Sequence, residues 1–73
     1  MIIPTYNNVG TIGCVVTEAQ RYCDDVIVVD DGSDDGTTEV LRAIEGIELV
    51  HYDHNRGKGH ALKVGFMTAL HKG

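Results

Sequence analysis

Three short polar stretches hold the residues that could do chemistry. They are "PTYNN" at 4–8, "DDGSDDG" at 30–36 and "DHNRGKG" at 53–59. The middle stretch is the most unusual: it packs four carboxylates into six positions, directly after the apolar run "VIVV". Like charges this close repel, so they need a metal, a ligand, helix N–H groups or water as partners. Neighbouring strand residues point to opposite faces, so Asp30 and Asp31 can take different jobs. One can turn inward onto backbone N–H groups while the other reaches a ligand edge. Gly32 permits a sharp turn and close backbone approach. Ser33, Asp34 and Asp35 suit the start of the next helix, where capping oxygens and negative charge are favoured.

The third stretch, "NRGKGHA", is basic, rich in glycine and followed by a helical pattern. Backbone N–H groups there could face a phosphate, helped by Arg56 or Lys58. The dinucleotide fingerprint fails because Leu62 stands at its third glycine, and the P-loop pattern is absent. Calcium is a competitor for the acidic stretch. Asp31, Ser33, Asp35, Gly36, Thr37 and Glu39 fall on EF-hand ligand spacing, but Arg42 replaces the closing glutamate and a strand precedes the loop. His51, His54, His60 and His71 show no ligand spacing that singles out a metal. Cys14 and Cys23, if on one helix, are separated by about 13 Å of rise, too far for a disulfide.

The elements that must position these loops follow from hydrophobic period. "MIIP" reads as a short strand stopped by Pro4. Thr11 is a candidate N-cap for a helix with Ile12, Val15, Val16, Ala19 and Cys23 on one face, weakened by Gly13 in its first turn. Residues 26–29 form a continuous apolar run, the mark of a strand buried on both faces, hence central. Residues 37–45 read as a short helix with Val40, Leu41 and Ile44 inward, and Gly46 as its stop. "IELVHY" alternates as a third strand. "HALKVGFMTALHK" reads as a third helix with Leu62, Phe66, Ala69 and Leu70 as its apolar stripe. The order βαβαβα implies a parallel sheet with helices on its faces, an α/β fold. In such sheets ligands bind beyond the carboxyl ends of the strands, which is where all three polar stretches fall.

Bulk composition narrows the function. With 73 residues the chain is at most one domain, and its 42% hydrophobic and 23% charged content is that of a globular protein. A net charge of −5 and few aromatic residues argue against a nucleic-acid partner. No apolar run reaches membrane-spanning length and no signal-peptide pattern opens the chain, so the cytoplasm is the expected compartment.

"IIPTYNN", "VIVVDDGSDDGT" and "NRGKGHALKVGF", in that order, resemble glycosyltransferase family 2, with its A-type nucleotide-sugar-binding fold. The third segment is most similar to the polyprenyl (dolichyl)-phosphate mannose and glucose synthase branch. Asn8 stands where that branch commonly has glutamate. The resemblance implies a Rossmann-like αβα three-layer fold, with residues 1–73 as the truncated amino-terminal, nucleotide-binding part of a transferase domain. It implies that Pro4, Thr5, Tyr6 and Asn8 line a nucleotide pocket. Asp31 would contact the base or ribose, supported by Asp30 and Gly32. Gly57 and Lys58 would lie near the nucleotide, Lys58 toward phosphate or sugar.

The donor implied is a nucleotide-diphosphate sugar, and the acceptor polyprenyl phosphate or a glycan, with membrane association of the full-length protein in the first case. The resemblance also implies a divalent cation, magnesium or manganese, for the complete enzyme. Its Asp-x-Asp and catalytic base would follow a fourth strand, so neither a metal site nor a catalytic residue is expected within these residues. A non-catalytic nucleotide-binding or interaction module on the same scaffold is the alternative. In the family's sheet the first strand is flanked by the second and the fourth. Without the fourth, its edge is open, which predicts self-association or coverage of that edge.

Overall fold

The computed structural model describes residues 1–72, and of Lys58 and Lys72 the backbone only. Six elements alternate: β1 (Ile2–Thr5), α1 (Ile12–Tyr22), β2 (Val26–Asp31), α2 (Thr37–Arg42), β3 (Ile47–Tyr52) and α3 (Lys58–Lys72). The strands form one parallel sheet in the order β1-β2-β3. Helices α1 and α2 cover one face and α3 the other, giving the Rossmann-like three-layer α/β architecture that the element order predicts.

All six residues of β2 are buried, as its unbroken apolar run requires of a central strand. Alternation along each strand then sorts side chains between two cores. Val26 and Val28 join Ile3, Ile47 and Leu49 beneath α1 and α2, with Ile12, Val16, Ala19 and Leu41 from the helices. Ile27 and Val29 join Ile2, Val50 and Tyr52 beneath α3. Burying each such aliphatic side chain stabilises the fold by about 1.5–3 kcal/mol.

The structure departs from the sequence pattern at several places. Pro4 lies inside β1 rather than ending it. The Ile27 amide donates to the Met1 carbonyl at 2.8 Å, so in this parallel ladder Met1, Ile3 and Thr5 direct their polar groups at β2. Pro4 therefore turns its missing N–H toward the open edge, where no ladder bond is lost. Thr11 makes no side-chain cap; the Asn8 carbonyl instead accepts from the amides of Thr11 and Ile12, at 3.0 and 2.8 Å. Val15 is exposed, and α2 ends at Arg42, three residues short of its expected last residue, Glu45. Both cysteines are free, as expected.

The largest departure is in α3. Of its expected stripe, Leu62, Phe66 and Leu70 face outward, with Phe66 58% and Leu70 65% exposed, and Ala69 alone faces in. The inward side is made of Ala61, Val64, Gly65 and Ala69. Close approach explains the choice. A Cβ on Gly65 would lie 2.4 Å from Ile2 Cγ2 and 3.2 Å from Val29 Cγ2, so the helix backbone rests directly on β1 and β2. Small residues set the contact, and the large ones are turned away from it.

Candidate functional site

The carboxyl end of β2 divides its two aspartates between the faces of the sheet. Asp30 is fully buried on the α1–α2 side. One carboxylate oxygen accepts the Ser33 amide at 3.2 Å, and the other accepts the Thr38 hydroxyl from α2. Its strand partner His51 places Nδ1 3.4 Å from Asp30, and its Nε2 lies 3.5 Å from exposed Asp53. Asp30 thus joins the turn, the start of α2 and β3.

Asp31 points to the α3 side and is 3% exposed. Its two oxygens accept the amides of Arg56 and Gly57, at 2.8 and 3.0 Å. The loop before α3 is therefore fastened to the end of β2. Gly32 makes room for it: with φ +71°, a Cβ there would lie 2.4 Å from the Asn55 nitrogen. Burial pushes the Asp31 carboxyl up, but the hydrogen bonds it receives, the Arg56 amide first, outweigh that and hold it below its ordinary value. The site consequently offers an ionised, acceptor-only group.

The other acidic residues serve the turn. Asp35 Oδ1 accepts both the amide and the hydroxyl of Thr37, at 3.0 and 2.5 Å, and Oδ2 accepts the Val9 amide at 3.2 Å. These bonds, the Thr37 hydroxyl first, hold its carboxyl below the usual value. Ser33 and Asp34 do not cap α2. Ser33 Oγ accepts the Asn7 amide at 2.9 Å, and the Asp34 amide donates to Asn7 Oδ1 at 2.9 Å. They lace the first and second loops together, as does the Asn8 amide, which donates to Thr37 Oγ1 at 3.0 Å.

Between these loops lies an open groove of about 470 Å³, lined by Pro4, Thr5, Tyr6, Asn8, Asp31, Asn55, Gly57 and Ala61. Six of the residues singled out in the sequence, Pro4, Thr5, Tyr6, Asn8, Asp31 and Gly57, meet there. Asp30 and Gly32 do not line it; the first is under the opposite face and the second beneath the Asn55 backbone. The Lys58 side chain lies outside the described residues. Asn55 and Ala61 were missed in sequence. Asn55 carried a signal, since an Asn side chain often bonds the backbone two residues further on and so turns the chain; here its Oδ1 accepts the Gly57 amide at 3.2 Å. The Arg56 and Gly57 amides, expected to face a phosphate, are instead held by Asp31.

A divalent cation does not fit these residues. No three metal-ligating side chains gather among the described residues, and Asp30 and Asp31 point to opposite faces of the sheet. Among those residues, no helix is long and apolar enough to cross a membrane.

The profile of "Glycosyl transferase family 2" matches residues 1–72. The undecaprenyl-phosphate 4-deoxy-4-formamido-L-arabinose transferase of Aeromonas hydrophila is 38% identical, over 94% of this chain and 24% of its own length. The dolichyl-phosphate beta-glucosyltransferase of Saccharomyces cerevisiae is 31% identical, over 92% of this chain and 25% of its own. The polyprenol monophosphomannose synthase of Mycolicibacterium smegmatis is 32% identical, over all of this chain and 30% of its own. The chain thus spans about a quarter of the length of these curated relatives. No solved structure gives a significant match. The match over nearly every residue, on a fold of parallel strands with three converging loops, means that this chain belongs to glycosyl transferase family 2.

Proposed function

We propose that the groove holds the nucleoside side of a nucleotide-diphosphate sugar, and that residues 1–73 are the nucleotide-binding part of a larger transferase domain. The observation that carries this reading is the meeting of three loops around one buried, ionised carboxylate. Pro4, Thr5, Tyr6 and Asn8 wall one side of the groove, and Asn55, Gly57 and Ala61 the other. Asp31 keeps acceptor capacity beyond its two amide donors, because a carboxylate has about four lone-pair sites. It suits an N–H or O–H of a base or ribose. Asp30 supports it by fixing the turn that follows. Lys58 is assigned to the phosphate or sugar side.

The whole protein would pass the sugar to a hydroxyl or phosphate acceptor. Polyprenyl phosphate is favoured because undecaprenyl, dolichyl and polyprenol acceptors stand in the names of the relatives. That acceptor would bring the protein to a membrane surface. Within the strand the open edge of β1 offers a single N–H donor, that of Ile2, since Pro4 has none, so self-association there is proposed to be weak and concentration-dependent. Sedimentation at rising concentration tests it, and a monomer throughout removes it.

Titration calorimetry of the folded chain with uridine and guanosine diphosphates tests the groove. The expected result is binding of at least one, weakened at least tenfold in Asp31→Ala. Absence of binding by the folded chain, or binding indifferent to Asp31→Ala, overturns the reading.

A further inference from the structure

Tyr52 does not line the groove, yet it faces Asp31 across the sheet. The two are register partners at the ends of β2 and β3. Partners in a parallel ladder present side chains to the same face, here the one covered by α3. The Tyr52 ring also meets His60 of α3, the two rings nearly perpendicular with centres 5.5 Å apart. The Tyr52 hydroxyl is buried and meets no acceptor at good hydrogen-bond geometry among the described residues. Buried phenol hydroxyls normally find a partner, because leaving one unpaired is costly. Asp31 is the acceptor with room, since Arg56 and Gly57 each take only one of its lone-pair sites.

We propose that Tyr52 is a positioning residue for Asp31: its hydroxyl donates to the carboxylate, joins the Arg56 and Gly57 amides as a third donor, and fixes the orientation Asp31 presents to the groove. His60 braces the ring from α3. The donor stays a donor at working pH, because burial and the neighbouring Asp31 push the Tyr52 hydroxyl up to about 12. The other charged or titratable groups around Asp31 are His60 from α3, Arg56 in the loop, Asp30 beside it on β2, and Tyr6 across the groove after β1.

The test follows the carboxyl carbon of Asp31 by NMR through a pH titration, in the full chain and in Tyr52→Phe. Removing the hydroxyl is expected to move the Asp31 midpoint up toward the ordinary carboxylate range, while the exposed aspartates keep theirs. An unchanged Asp31 midpoint in folded Tyr52→Phe overturns the proposal. Should Tyr52→Phe not fold, the unaltered chain decides through its Tyr52 hydroxyl proton. A slowly exchanging proton in contact with the Asp31 methylene supports the proposal, and a freely exchanging one overturns it.

A second arm rests on the nucleotide reading. Tyr52→Phe should weaken binding of uridine or guanosine diphosphate by about threefold to tenfold, the worth of one hydrogen bond. The acid limb of the binding curve should move to higher pH, which a purely structural loss would not cause. Unchanged affinity and limb count against the proposal. Absence of nucleotide binding by the unaltered chain defeats the nucleotide reading, and the carboxyl titration still decides the role of Tyr52.

Discussion

Asp30 and Asp31 share a peptide bond and almost nothing else. Asp30 is sealed beneath α1 and α2, and its donors Ser33 and Thr38 come from the turn and helix that follow it at once. Asp31 is nearly as buried beneath α3, but its donors come from a loop that begins more than twenty residues later, and one side of it reaches the groove. The difference teaches that burial does not separate a carboxylate locked into the fold from one that borders the groove. What separates them is where their partners come from, and whether an acceptor site is left facing open space.

Substitutions can break or sharpen this contrast. The largest effect is expected from Asp30→Ala, which strands the Ser33 amide and the Thr38 hydroxyl. Urea unfolding should show a loss of about 3–5 kcal/mol, in the range for breaking a buried polar network. A loss under 1 kcal/mol would mean that Asp30 is not the anchor described. Gly65→Val acts on the other face by forcing α3 off Ile2 and Val29. About 1–3 kcal/mol should be lost, as in overpacked cores. Amide exchange should speed up in α3 more than in α1; equal loss of protection in both would contradict separate packing of the two faces.

Asp31→Asn should cost about 1–2 kcal/mol, because the amide side chain can still accept from one of Arg56 and Gly57. Its signature is the acid side of the stability curve. A carboxyl held below its unfolded value stabilises the fold above that value, about 3.9, and the contribution fades as pH falls through the folded one. The unaltered chain should therefore lose stability as pH drops below about 4, and Asp31→Asn should follow a shallower curve there. Parallel curves would show that Asp31 is not held down as described. The smallest effect belongs to Phe66→Ser. On an exposed face it should stay within about 0.5 kcal/mol of the unaltered chain; a loss above 1.5 kcal/mol would place Phe66 in a core.

The sequence made some of this legible for physical reasons. The run "VIVV" could only be a strand covered on both sides, and it is the central strand. Three polar loops at three strand ends had to gather at one edge, because parallel crossovers leave every carboxyl end on the same side. Period-two alternation separated Asp30 from Asp31. It could not name their donors, which lie in loops whose backbone course has no periodic signal. Helix α3 was misread because counting large apolar residues assumes that size faces inward. Gly65 and Ala61 reverse that rule by letting the backbone sit on Ile2 and Val29, and only a structure shows how near two backbones come. Pro4 was misread similarly: proline ends a strand only when its nitrogen faces a neighbour.

The fastening of the loop before α3 has a consequence for binding entropy. The five-residue loop between β3 and α3 is fastened to Asp31 through two of its amides, those of Arg56 and Gly57, and Gly57, at φ +91°, occupies a conformation open chiefly to glycine. Fixing a residue's backbone costs about 1–2 kcal/mol. Here that cost falls on folding, so a ligand entering the groove meets a wall already immobilised and loses correspondingly little affinity to ordering it.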